Sequence, residues 1–564
     1  MLVHTLLAVL LLALRLPAAA QAPAWQSARA VAVATAAVSG NYSIVKATTV
    51  DAAGNVYLTG DFQNTVTLGG TTLTSFGITD VFIAKFNPVS NQFIWAQRAG
   101  GTGRDISSAL VVSGTSVYVA GSFSSPTASF GTTMLTNAGT GSTAGTFDVF
   151  VAKLTDAGPT GSFVWAQQAG GADLDVANGL AVSGTSIYVS GDFGSRTVAF
   201  GASTLTNAGF FNAFVAKLTD AGSTSSFVWA QRAGGTSDDH ANALAVSGTS
   251  VYMAGSFGSR TVAFGAITLT VAGSNDIFVA KLTDAGPTGS FAWAQRAGGT
   301  GLDEAYALAV SGTSVYVAGR FTSPTAGFGA TILINAGSEN GFVAKLTDTG
   351  ATGSFAWAQR AGGMGTDYAY AMAVSGTSVY VGGRFTSPAA SFGATTLATA
   401  GAADVFVAKL TDAGSTGSFA WAQRAGGTSG DEARALTLSG TSVYVAGYIQ
   451  STAADFSNTV LSSPATNAAL GFLATLPDPT LTATAPSRAL PPAQLYPNPA
   501  RHTATLRLPA DTAPASLTLT DALGRAVRRY PAPASPEAML DLRGLPAGLY
   551  LLRGAGPAQR LQVE

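Results

Sequence analysis

The chain has 564 residues, with 29 basic and 30 acidic side chains and a formal net charge of −1, so no global field draws it onto nucleic acid or an anionic membrane. It has no cysteine, which excludes disulfides, thiolate metal centres and cysteine nucleophiles. Only 10% of residues are charged while 67 are glycine, a balance that suits a β-rich fold with many tight turns.

The N-terminal stretch is apolar from Leu6 to Leu14, too short to span a bilayer, and Ala18-Ala19-Ala20 supplies a small-residue cleavage site. Residues 1–20 therefore read as a secretory signal peptide, with the mature chain expected to start near Gln21. No later segment reaches membrane-spanning length.

Residues 21–476 are repetitive. All seven Trp fall on one series, at 25, 95, 165, 229, 293, 357 and 421. The Tyr of S-V-Y-V-A-G recurs at 57, 118, 188, 252, 316, 380 and 444, and the Phe of F-V-A-K-L at 82, 150, 214, 278, 342, 406 and 472. Each period holds four candidate strands, as in ALAVS at 243–247, SVYVAGSF at 250–257, then FVAKLT and SFVWAQR. The turns SGTS and TDAGSTGS have hairpin chemistry. Strands two and three are nearly continuous apolar runs, which predicts burial on both faces, as in sheets stacked around an axis. Four short strands per unit is the β-propeller pattern. The 64-residue period leaves an insert between strands two and three, such as 258–276, long enough for a hairpin of its own.

The last repeat has strand one (Ala433–Ser439), strand two (Ser442–Ile449) and strand three (Gly471–Leu476), but residue 485, where the next Trp would fall, is Ala. The chain offers the missing fourth strand at its other end, as Trp25–Ala30. The expected fold class is all-β: a seven-bladed β-propeller of four-stranded blades, its N-terminal strand closing the last blade, followed by a small Ig-like β-sandwich. The words G-G-x-x-x-D, A-L-A-V-S-G, V-Y-V-A-G and F-V-A-K-L resemble the bacterial SBBP-type β-propeller repeats over about 25–476, apart from the long insert. That resemblance implies an extracellular or surface repeat protein and no particular chemistry.

Composition breaks near Pro477, and residues 477–494 read as a Pro/Ala/Thr-rich linker. Residues 495–564 contain no Lys and alternate in short strands: TATLRLP, ASLTLTD, AVRRY, AMLDLR, GLYLLR and QRLQVE. LYPNPA at 495–500, LTDALGRAV at 519–527, DLRGLPAGLYLLR at 541–553 and the final RLQVE resemble a type A sorting domain of the type IX secretion system. The resemblance implies the type IX machinery and a sortase-like peptidase as partners. It also implies a secreted or outer-membrane-surface location in a Gram-negative bacterium.

Candidate chemistry is sparse. Of three His, only His240 lies in the repeats, which argues against a His-based triad or metal cluster. An Asp follows each internal Trp by ten residues: Asp105, Asp175, Asp239, Asp303, Asp367 and Asp431. The turn-fixing role of a carboxylate accepting backbone N–H bonds fits six copies best, with Ca²⁺ ligation as the alternative cofactor reading. Positions eleven and thirteen after Trp vary instead: His240 and Asn242, Glu304 and Tyr306, Tyr368 and Tyr370, Glu432 and Arg434. They are expected on a loop face at the ring entrance, where they could contact a glycan or an extracellular protein. The recurrent Lys of F-V-A-K-L, such as Lys281, is expected to pack its stem between blades with its ammonium at the edge. The function expected is a non-catalytic binding or scaffold module. The alternatives are a polysaccharide lyase or glycosidase using Glu304, Tyr368, Tyr370 or Glu432, and a purely structural surface-layer component.

Overall fold

The computed structural model describes residues 22–35, 42–139, 146–463, 468–481, 494–507, 517–521, 525–531, 537–553 and 559–564. The expected signal peptide, and residues 482–493 of the expected linker, lie outside the described residues. The chain divides into two compact units, Met1–Ala483 and Thr484–Glu564. The described elements are all strands, and among the described residues no helix is long and apolar enough to cross a membrane.

The first unit contains seven four-stranded antiparallel repeats. Repeat five is representative: Asp303–Ser311, Ser314–Phe321, Asn340–Asp348 and Gly353–Ala361 pair in sequence order. Repeat seven takes Asp431–Ser439, Ser442–Ile449 and Leu470–Pro477 from one end of the chain and Ser27–Val31 from the other. The first strand of each repeat packs on that of the next, and the first strand of repeat seven packs on that of repeat one. Strands two and three are buried along nearly their whole length, as in SVYVAGSF and DVFVAKLTD. Their side chains fill seven apolar layers, each formed by residues from neighbouring repeats.

The insert does form a hairpin, for example Thr261–Phe264 with Ile267–Thr270. Its first strand reaches back to the fourth strand of the preceding repeat, so that Ala263 pairs with Gly234 and Ala128 with Gly101. Each repeat is thereby strapped to its neighbour as well as packed on it.

The recurrent Lys is placed differently from expectation. Its ammonium does not reach an edge: Lys85, Lys153, Lys217, Lys281, Lys345 and Lys409 are buried, each 2.6–2.8 Å from an Asp of the next repeat (Asp156, Asp220, Asp284, Asp348, Asp412, Asp478). The same carboxylates accept the hydroxyl of the S-V-Y-V-A-G tyrosine, as in Tyr252 to Asp348 at 2.6 Å. Five of them also accept an indole N–H, as in Trp293 to Asp348 at 3.0 Å. A buried charge needs such company, because an unpaired one is expensive in a dry joint. Although burial raises its pKa, the bonds from Lys281 and Tyr252 bring Asp348 down to about 2.

Trp25 also departs from expectation. Register places Ser27 opposite Thr475, whereas Trp293 stands opposite Lys281 in the repeat-four pair. Trp25 therefore occupies the place of the Phe of S-F-A-W. Its ring packs edge-on against Phe456 at 5.2 Å, as Phe419 does against Phe392 at 5.7 Å.

In the second unit, Gln494–Tyr496, Thr503–Arg507 and Glu537–Asp541 form one sheet. Ala526–Tyr530, Leu517–Asp521, Gly548–Arg553 and Gln559–Val563 form another. Residues of both, including Leu506, Leu540, Leu519 and Leu552, share one apolar cluster.

Candidate functional site

In repeats two to seven the first strand starts at the recurrent Asp, four residues before the apolar run that marks it in sequence, as in Asp239–Ser247. The eight variable residues therefore lie on strands rather than on loops. The register explains why the pattern misleads: it shifts between Ala305 and Ala307, leaving Tyr306 as a bulge, and the same shift singles out Asn242, Tyr370 and Arg434. A bulge bends its strand and re-aims one side chain. The glycine of V-A-G makes room for it. A Cβ on Gly319 would stand 1.9 Å from the Glu304 carbonyl oxygen, and one on Gly383 1.8 Å from that of Tyr368.

Six of the eight residues converge across repeats five to seven. The rings of Tyr306, Tyr368 and Tyr370 are mutual neighbours, with centroids 5.3–6.3 Å apart. Glu304 accepts the Tyr306 hydroxyl at 2.5 Å and Arg320 Nε at 2.9 Å. Arg320 also donates to Glu339 at 2.6 Å and to the Tyr368 hydroxyl at 3.0 Å. Arg384 lies 4.7 Å over the Tyr368 ring and donates to Glu432 at 2.8 Å. Arg434 lies 4.1 Å over the Tyr370 ring and 2.5 Å from the other oxygen of Glu432. Such ring–guanidinium stacking is favourable in a partly desolvated site.

The electrostatics keep the phenols neutral. Burial, then the Glu304 charge, pushes the Tyr306 hydroxyl well above the usual phenol range. Burial also raises Tyr370, against the pull of Arg434. The tyrosines thus offer hydroxyl donors and ring faces rather than phenolate bases, and Glu304, Glu339 and Glu432 are each held by an arginine.

The remaining two candidates lie apart from this cluster. His240 turns to repeat three, where Nδ1 is 3.2 Å from Asp192 and the ring lies 5.7 Å from that of Phe211. Burial lowers its pKa, but the bond to Asp192 outweighs that and leaves it above the ordinary value. Asn242 donates to the Ala305 carbonyl at 2.9 Å and ties two first strands together.

The Asp series is bound into its turns. Asp303 accepts Gly299 N–H at 2.7 Å and Ser323 Oγ at 2.6 Å on one oxygen, and the N–H groups of Thr322 and Ser323 at 3.1 and 3.2 Å on the other. Asp105, Asp175, Asp239, Asp367 and Asp431 repeat the Gly and Ser bonds. Among the described residues, no group of three or more His, Cys, Asp or Glu is placed to hold a metal ion.

Sequence reading missed Arg320, Arg384 and Glu339. The signal for the arginines was present: V-A-G-S-F becomes V-A-G-R-F at 320 and V-G-G-R-F at 384, directly opposite Glu304 and Tyr368 in register. No curated protein matches the chain. Residues 494–560 match the secretion system C-terminal sorting domain, which marks the chain for export by type IX secretion, to the cell surface or beyond it.

Proposed function

We propose that residues 21–476 are a seven-bladed β-propeller of the SBBP-repeat kind, and that it works outside the cell as a non-catalytic binding module for glycan-bearing partners. The cyclic contacts of the first strands and the shared last repeat support the architecture. The observation that carries the function is the cluster of Tyr306, Tyr368 and Tyr370 flanked by three arginines and three glutamates. Half-buried aromatic faces beside fixed donors and acceptors are what a neutral, hydroxyl-rich ligand needs. Lyase or hydrolase chemistry needs a free acid–base pair or a tyrosine prone to ionise. Here the phenols are raised and the carboxylates are committed to arginines.

The mature chain should retain glycans or glycosylated extracellular proteins on arrays. Tyr368→Ala/Tyr370→Ala should weaken that binding at least about tenfold, since losing a central aromatic anchor costs about 2 kcal/mol or more. An unchanged array profile, with circular dichroism showing the fold intact, would rule the cluster out as the contact surface.

A further inference from the structure

The seventh joint, between repeat seven and repeat one, lacks the network that fills the other six. The Lys place is taken by Thr475 and the Trp place by Ser27. The Asp place, three residues after the F-V-A-K lysine, is taken by Pro88. Only the tyrosine remains, as Tyr444. Two large side chains and an acid are thus replaced together by Thr, Ser and Pro. The space they would fill is a cavity of about 330 Å³, lined by Ser27, Pro88, Tyr444 and Thr475 among others. That is ample for a monosaccharide-sized guest.

The lining defines the guest. Hydroxyl and amide groups dominate it, no carboxylate is present, and the one charged group is Arg29. The Arg29 guanidinium lies 4.3 Å over the Phe86 ring and donates to the Asn91 carbonyl at 3.2 Å and to the Asn91 side-chain oxygen. At the other six joints the tyrosine hydroxyl donates to an aspartate. Among the described residues Tyr444 has no such acceptor, although it is only 6% exposed. The joint thus keeps one donor for an acid, the tyrosine, adds Arg29 at the wall, and has deleted the acid itself.

We propose that this cavity binds a small hydroxylated carboxylate of hexuronic-acid type. Its carboxylate would meet Arg29 and Tyr444, and its hydroxyls the Ser and Thr walls. The site stands on other residues than the tyrosine cluster and does not depend on it.

The test is calorimetric titration of the full mature chain with galacturonate, and with galactose as the neutral control. Galacturonate should bind at least tenfold more tightly than galactose. Arg29→Gln should weaken galacturonate at least tenfold. Thr475→Lys/Pro88→Asp installs the lysine and aspartate found at the other six joints and should abolish binding without loss of the circular dichroism signal. Failure of the wild-type chain to bind, equal affinity for the two sugars, or unchanged binding in the refolded double variant overturns the proposal. If the double variant does not fold, Arg29→Gln decides alone.

Discussion

Asp148 shows how one residue of a repeat can carry a cost that its counterparts, also raised by burial, offset with a partner. Asp80, Asp276 and Asp404 open the third strand of their repeats and each pairs with an arginine: Arg98, Arg296 and Arg424. Repeat two has Gln168 in that arginine's place. Burial, with Asp175 nearby, then pushes the Asp148 carboxyl up to about 7. A raised pKa means the folded state holds the proton more tightly than the unfolded chain. The contribution to stability is therefore complete below about pH 4 and is lost as pH rises through about 7. Repeats three and five already use Asn212 and Asn340 at this position, bonded by Arg232 and Arg360. Asp148→Asn should accordingly stabilise the protein by on the order of 2 kcal/mol at pH 8 and change little at pH 4, as measured by denaturant unfolding at both values. A gain of equal size at both pH values would show that the buried charge is not the cause.

At the scale of the strand, the bulge turns a repeat into a site. Gly319→Ala should force the second strand away from the Glu304 carbonyl, destabilise the chain by roughly 3 kcal/mol and disperse the Tyr306 cluster. Gly327→Ala is the control, because its Cβ would meet only the Gly298 carbonyl oxygen, at 3.7 Å. Thermal unfolding of the two variants side by side checks this, and equal melting temperatures would remove the steric argument. The bulge also marks the limit of what was legible in the sequence. Strands two and three announced themselves as apolar runs, and the strand borrowed by repeat seven followed from counting landmarks. The start of strand one did not, because Asp303 to Ala307 alternates acid, small and aromatic residues in no register until the bulge is allowed for. Tyr306, Tyr368, Tyr370, Glu432 and Arg434 could be picked out because they break the repeat. Their arginine partners break it too, but in a word that reads as buried strand, where a charged residue draws attention only once a partner is seen opposite. The Trp series misled for the converse reason: Trp25 shares the spacing of the others yet stands two residues earlier in the pairing.

Across the whole first unit, continuity depends on five residues of the N-terminal strand. Ser27–Val31 pairs along Gly471–Thr475, Trp25 Nε1 donates to the Arg424 carbonyl at 2.7 Å, and Val33–Ala34 pairs with the hairpin strand of repeat one. Everything that joins repeat seven to repeat one on the fourth-strand side passes through this segment. Without it, Leu470–Pro477 becomes an edge with a row of free backbone groups, and the seventh apolar layer loses Trp25, Ala28 and Ala30. Exposed edges of that kind recruit other strands. A mature chain lacking residues 22–35 should therefore unfold at a lower temperature and elute from size exclusion as self-associated species. Adding a peptide of residues 22–35 should restore both the monomer and the melting temperature, since the missing strand is contiguous and needs only the vacant edge to pair. A truncated chain that stays monomeric with an unchanged melting temperature would mean that the layers between repeats hold the series together by themselves, and that the borrowed strand is dispensable.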